Sequence, residues 1–304
     1  MEVDWDELME LADEISSENL SKASKECYNS RIRSYEKVMT SLDKDAYPID
    51  IDKMKGFIMF QYKNKNRKFN TLIGYITGFS NYFQQNNLPN LTKDITFKNF
   101  KSGLRRRLLG SFCPNAKLPF EIGWFEAISK EFPLNQLDNR VFFLYMTLSF
   151  TAFLRISELL NLKKKDIQIS DENKLLSISI NSSKTDQFGR GSKTYVYYTD
   201  TIFCPIKYID VLEGLNDEDN ICHVKEHALR SHLQVILRQI GIADYQSYSW
   251  HSFRRGGAYH CGQKGTPDYI IKAHGRWKSS AYIRYVSVDM NYAGQEIAQK
   301  LSNL

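Results

Sequence analysis

The sequence predicts a mainly α-helical chain with one small β-hairpin, arranged as two domains. Three observations predict this class. Apolar residues recur at three- and four-residue spacing through most of the 304 residues, the period of an amphipathic helix. Strict alternation occurs only twice, at Leu176–Ile180 and Thr194–Thr199, on either side of a polar loop with two glycines. One stretch, 113–119, holds two prolines and no periodicity, and reads as a linker. A helical domain is therefore expected over 1–112 and a second domain over 120–304.

The elements follow in order. The first twenty residues carry eight acids and no base, with apolar positions at Trp5, Leu8, Met9, Leu11, Ala12 and Ile15. No secretory or transit signal is expected of so acidic a stretch. Periodic segments then cover about 24–40, 50–61, 68–86 and 95–111, joined by short turns such as DKDAYPID and NNLPNL, which predicts a helical bundle. Beyond the linker, helices are expected at about 121–131 and 134–147, with a shorter one around Arg155–Leu162. The hairpin follows, its loop reading KTDQFGRGSK. Helices resume near 205–213, 225–240, 251–263, 267–274 and 279–286, and the tail NYAGQEIAQKLSNL reads as a last short amphipathic helix.

Composition narrows the function. The five cysteines are scattered and odd in number, which fits a reducing intracellular setting rather than secretion. The apolar run 141–154 is too short to span a membrane, so no membrane association is expected. Net charge is +6, but residues 21–112 hold 18 Lys and Arg against seven Asp and Glu. A basic half behind an acidic cap suits a polyanion such as nucleic acid. The run Arg105, Arg106, Arg107 belongs to that half and could face phosphates.

The residues able to carry chemistry gather in the second domain. His251 and Arg254 are one helical turn apart and can reach one phosphate together. Arg155 interrupts the apolar run VFFLYMTLSFTAFLRISELLNL. It either pairs with Glu158, three residues on, or meets an anion, and the two roles can coexist. Arginine suits an oxyanion because its planar fork donates two parallel hydrogen bonds and keeps its charge. Lys184 opens the hairpin loop, where it is either simply solvated or placed to protonate a leaving oxygen. Lys163, Lys164, Lys165, Arg190 and Lys193 are candidate backbone-phosphate contacts. Tyr282 and Tyr285 each offer a phenol as covalent nucleophile. Cys222, His223, His227 and His232 cluster but lack a C-x-x-C partner, so no metal is expected. The glycine pairs 189/191 and 256/257 fit neither a P-loop nor a dinucleotide fingerprint, and no cofactor is expected.

Taken together, these pieces resemble the tyrosine recombinases, the phage-integrase family of site-specific DNA recombinases. The resemblance covers about 120–290. TAFLRISELLNL resembles the family's first arginine box, which implies Arg155 as the first catalytic arginine and Glu158 as its supporting acid. The hairpin with SSKTDQFGRG resembles the one bearing the family's lysine, here Lys184. HSFRRGGA resembles the H-x-x-R box, His251 and Arg254. HGRWKSSAYIRYV resembles the final region, with Trp277 where the family has histidine or tryptophan and Tyr285 as nucleophile. His274 is the rival for the Trp277 role and Tyr282 the rival nucleophile. Tyr285 follows Trp277 by eight residues, one fewer than is common in bacterial and phage members. That spacing resembles the eukaryotic branch in DIRS-type retrotransposons and Cryptons.

The resemblance implies a two-domain recombinase architecture, a helical core-binding domain plus a catalytic domain, closed around double-stranded DNA at a specific site. Tyr285 would form a 3′-phosphotyrosyl link, with Lys184 and His251 moving protons, and the energy stored in that ester would make ATP and metal unnecessary. Dimers and tetramers on DNA are implied, as are a Holliday-junction intermediate and a transposon or viral origin. The segment 290–303 would dock on a neighbouring protomer or pack in cis. In a eukaryotic host the chain would act in the nucleus. The competing readings are a catalytically silent DNA-binding protein of transposon origin and a type IB topoisomerase-like relaxer.

Overall fold

The computed structural model describes residues 4–17, 19–109, 117–170, 172, 174–181 and 191–284. The chain divides into two compact units, Met1–Pro114 and Asn115–Leu304. It is mainly helical with one three-stranded antiparallel sheet, the class the sequence predicts.

Unit one contains α1 (Trp5–Ser17), α2 (Lys22–Ser41), α3 (Ile51–Lys65), α4 (Phe69–Gln85), a 3-10 turn (Leu91–Lys93) and α5 (Ile95–Leu109). Local chemistry sets the starts. The Ser21 hydroxyl accepts from the Ser24 N–H at the head of α2, and the Asp50 carboxylate accepts from Lys53 N–H at 2.7 Å at the head of α3. Asn66, with φ of 48°, ends α3. Tyr35, Phe57 and Phe79 meet edge to face at the centre of the core. Helix α1 differs from the rest. Its Trp5, Leu8, Met9, Leu11 and Ile15 are exposed, so its apolar positions do not join that core.

Unit two is built around α7 (Leu137–Thr151), in which every residue from Phe142 to Phe150 is buried. Before it lies α6 (Trp124–Glu131) and after it the short α8 (Ile156–Asn161). The sheet runs β1 (Ile167–Ser170), β2 (Leu175–Ile180), β3 (Ser192–Tyr197), in that spatial order. Strands β2 and β3 were expected; β1 was not, because IQIS is short. Residues 205–212 form a 3-10 helix rather than the expected α-helix, as do 280–284. Then come α9 (Glu226–Gln239), α10 (His251–Gln263) and α11 (Asp268–His274).

Helix α10 packs on α7 at unusually close range. The Trp250 indole N–H donates to the Ser149 hydroxyl at 2.8 Å. A Cβ at Gly256 would lie 2.2 Å from the Phe120 carbonyl oxygen, and one at Gly257 2.2 Å from that of Phe150. The glycine pair is therefore a packing device in the second turn of α10, Gly256 admitting the Phe120 backbone and Gly257 the end of α7.

Candidate functional site

The end of α7 begins the site. Phe153 takes φ of 49°, a conformation costly for a bulky residue, and the chain turns sharply. Arg155 follows in extended geometry as the residue just before α8. Glu158, in the first turn of α8, reaches back. Its Oε2 accepts the Arg155 backbone N–H at 2.9 Å and its Oε1 accepts from the Arg155 guanidinium. The pair anticipated from the i,i+3 spacing exists, but through this helix-start geometry rather than across a helix face.

Two further guanidiniums converge on the same carboxylate. Arg254, on α10, brings Nη1 to 3.7 Å from Glu158 Oε2, and Arg276 brings Nη2 to 2.9 Å. The Glu158 side chain is 1% exposed, Arg254 0%, Arg276 10% and Arg155 18%. Burial pushes the Glu158 carboxyl upward. The charge of Arg276, the Arg155 N–H, and the charges of Arg155 and Arg254 outweigh it and hold the group below the usual carboxylate range. One negative charge thus faces three positive ones, and the cluster keeps an excess of positive charge with Arg155 at its most open edge.

Backbone carbonyls steady the cations. Arg254 donates to the Phe153 carbonyl at 2.6 Å and to that of Gly275. Arg276 donates to the carbonyls of Ala152, His274 and Phe153, each at 3.1 Å. The turned-out Phe153 carbonyl serves both arginines. Trp277 folds back over Gly275, where a Cβ would lie 1.7 Å from the indole, and its ring sits 4.4 Å from the Arg254 guanidinium carbon.

His251 occupies the first turn of α10. Burial first, then the charges of Arg254, Arg255 and Arg155, pull its pKa down to about 4, so its imidazole is neutral at pH 7. Arg255, next to Arg254 in the chain, donates to the Lys117 carbonyl. His274 donates Nε2–H to the Thr151 carbonyl at 2.7 Å and packs edge-on against Phe153. Tyr282 is half-buried, its ring centroid 6.2 Å from that of Trp277. Lys184, Arg190 and Tyr285 lie outside the described residues.

The structure therefore gathers Arg155, Glu158, His251, Arg254 and Trp277 in one place. The lysines near β1 are otherwise engaged: Lys163 and Lys165 share Glu218, and Lys164 donates to the Leu212 carbonyl. Lys193 is exposed on β3, and Arg105, Arg106 and Arg107 are exposed on α5 of the other unit. Sequence reasoning missed Arg276. The only signal was its place inside GRW, beside the tryptophan it helps to seat. Beside the cluster lies a largely apolar cleft of about 380 Å³, walled by Phe150, Tyr195, Val196, His260, Cys261 and Ile271. No arginine among the described residues lines it, so the anion-attracting region is the cluster and not the cleft. Among the described residues no three His, Cys, Asp or Glu side chains are grouped to hold a metal ion. No described helix is long and apolar enough to cross a membrane.

Comparison with protein-family models finds no match, and comparison with curated proteins finds none either. Solved structures do match. The Tn1549 transposon integrase in complex with transposon right end DNA superposes with a TM-score of 0.64 at 14% identity, over 95% of this chain and 97% of that one. XerH site-specific recombinase bound to palindromic difH substrate gives 0.65 at 14% identity, over 92% and 80%. A lambda integrase dimer bound to a COC′ core site gives 0.59 at 13% identity, over 92% and 75%. At such identities the likeness is one of fold, and the fold is that of the tyrosine recombinases and integrases.

Proposed function

We propose that this chain is a site-specific DNA recombinase that cuts and rejoins double-stranded DNA through a 3′-phosphotyrosyl intermediate. The observation that carries the proposal is the convergence of Arg155, Arg254 and Arg276 on the single buried carboxylate of Glu158. A buried cluster with surplus positive charge is stabilised by an anion, and a phosphodiester under attack gathers negative charge on its non-bridging oxygens. The fold likeness to integrases and recombinases supports the same reading.

In this reading the scissile phosphate enters at Arg155, the open edge of the cluster. The Arg254 charge acts from beneath, and the Trp277 indole N–H adds a donor. Tyr285 attacks phosphorus, the bond to the 5′ oxygen breaks, and Lys184 supplies the proton that the leaving oxygen needs. His251, neutral at pH 7, can accept the phenol proton. The 5′ hydroxyl of a partner strand reverses the step, so the ester preserves the bond energy. Exchange between two duplexes brings in dimers and tetramers of this chain on DNA. A transposon or viral origin, and the DIRS or Crypton branch within it, rests on the GRW…Y spacing alone.

The test begins by selecting the bound sequence from a pool of random duplexes, then nicking that duplex close to the cut position. The wild-type chain is expected to leave a covalent protein–DNA adduct on a denaturing gel. Tyr285→Phe should abolish it and Tyr282→Phe should not. A wild-type chain that binds the selected duplex but never forms the adduct overturns the proposal in favour of a silent DNA-binding protein. Relaxation of supercoiled DNA without junction products would replace recombination with the topoisomerase-like reaction.

A further inference from the structure

We propose that Arg276 is a positioning residue: by occupying Glu158 Oε2 it keeps the Arg254 guanidinium from closing on that carboxylate. The inference rests on the reading of the arginine cluster as the scissile-phosphate site, and it assigns a task to a side chain that the chemistry itself does not use.

The hydrogen-bond inventory of Glu158 carries the argument. A carboxylate oxygen accepts comfortably from about two donors. Oε2 already has two, the Arg155 N–H and the Arg276 Nη2, both at 2.9 Å. Oε1 takes the Arg155 guanidinium. Arg254 Nη1 stands 3.7 Å from Oε2, an ion-pair distance too long for a hydrogen bond. It spends its donors on the carbonyls of Phe153 and Gly275 instead. Remove Arg276 and Oε2 becomes a buried carboxylate oxygen short of one donor. Such a group is strongly driven to find another. Arg254 is the nearest cation not already hydrogen-bonded to Glu158, and a shift of under about 1 Å would bring Nη1 within hydrogen-bond reach. That shift draws the guanidinium toward Glu158 and off the Phe153 and Gly275 carbonyls that hold it in place.

Backbone geometry gives independent support. Arg276 sits at φ of 56°, a conformation that glycine adopts without steric cost and arginine does not. An arginine in that position makes sense through its side chain. The guanidinium is almost fully enclosed and ties together the carbonyls of Ala152 and Phe153, just before Arg155, and of His274, just before Trp277. One planar fork thus braces the turn carrying the first arginine against the turn carrying the indole. A lysine ammonium could reach Oε2 but could not span the same set of acceptors.

The test uses three full-length variants, Arg276→Met, Arg276→Gly and Arg276→Lys. Glycine removes the side chain while relieving the backbone, so it should fold even if the methionine variant does not. The first readout is a crystal structure of the methionine or glycine variant. The Arg254 Nη1 to Glu158 Oε2 separation should contract to about 3 Å. The second is the split between affinity and rate on the selected, nicked duplex. Affinity should stay within a few-fold, while single-turnover adduct formation falls roughly 100-fold, the scale of an ångström-sized misplacement. Arg276→Lys should recover part of that rate. An Arg254 that keeps its wild-type position in a folded variant overturns the inference, and so does a wild-type rate in both the glycine and methionine variants. Absence of any adduct from the wild-type chain would sink the recombinase reading instead, and the crystallographic distance would still decide the positioning role.

Discussion

At the scale of the residue, His251 shows how the cluster sets its own protonation. Burial and three guanidiniums together bring its pKa to about 4, against about 6.5 in an unfolded chain. Between those values the unfolded chain binds more protons than the folded one, so stability rises with pH through that window and is complete above it. The contribution lost on acidification to pH 4 is on the order of 3 kcal/mol for this one group. Burial displaces His274, His232 and His260 in the same direction, which steepens the fall. The melting temperature should therefore drop from pH 6.5 to pH 4, and His251→Gln, which cannot take up that proton, should flatten part of the slope. A scanning-calorimetry series in which wild type and variant lose stability in parallel would show that His251 is not held neutral. A bound phosphate opposes the arginine charges, so His251 should also take up protons when DNA binds. The same series repeated with duplex present should show the window moving upward.

At the scale of the element, the site depends on how closely α10 approaches α7. Gly257 lets that happen, because a methyl there would meet the Phe150 carbonyl at 2.2 Å and the Phe153 ring at 2.5 Å. A backbone oxygen cannot step aside as a flexible side chain can. Gly257→Ala should destabilise unit two by at least about 1–3 kcal/mol, the usual cost of overpacking. It should also slow adduct formation, since α10 carries His251 and Arg254. Gly103→Ala, on α5 with open space around it, should instead be neutral or gain up to about 1 kcal/mol of helix propensity. Equal effects of the two changes in urea melts would refute this packing role. The contrast also shows what a sequence can and cannot disclose. Helices α2 to α6 and α8 to α11 were legible mostly from apolar residues at helical spacing that must find a core, and α7 from an apolar run buried on every side. Strand β1 was not, since Ile-Gln-Ile-Ser becomes a strand only when β2 lies alongside. Nor was the 3-10 winding of 205–212, which keeps helix-like apolar spacing behind Pro205. That His251 and Arg254 share the first turn of one helix could be read from their spacing. Arg276 could not, because its role arises where two turns from distant parts of the chain meet. The exposed face of α1 was hidden for a related reason: a periodic pattern shows that a face is apolar, not that anything covers it.

At the scale of the whole molecule, each unit carries a core of its own, one centred on Phe57 and Phe79, the other on Phe125, Phe150 and Phe253. The charge is divided as well. Residues 21–112 hold 18 bases against seven acids, whereas the arginine cluster belongs to unit two. A protein organised this way should separate holding DNA from acting on it. Replacing Arg105, Arg106 and Arg107 by glutamine removes three exposed charges from α5 without touching either core. Each one that meets a phosphate should flatten the dependence of log affinity on log salt by about 0.9. Affinity at physiological salt should fall accordingly, and fall alike for selected and random duplexes, because phosphate contacts position the protein without reading bases. The adduct-forming rate at saturating DNA should stay at the wild-type value, since Arg155, Glu158, Arg254 and Arg276 keep their hydrogen bonds. Titrations at several salt concentrations, followed by single-turnover cleavage on saturated complexes, measure the two quantities separately. A saturated rate that drops in step with affinity would mean that α5 takes part in setting up the reacting phosphate, and the division of labour between the units would have to be abandoned.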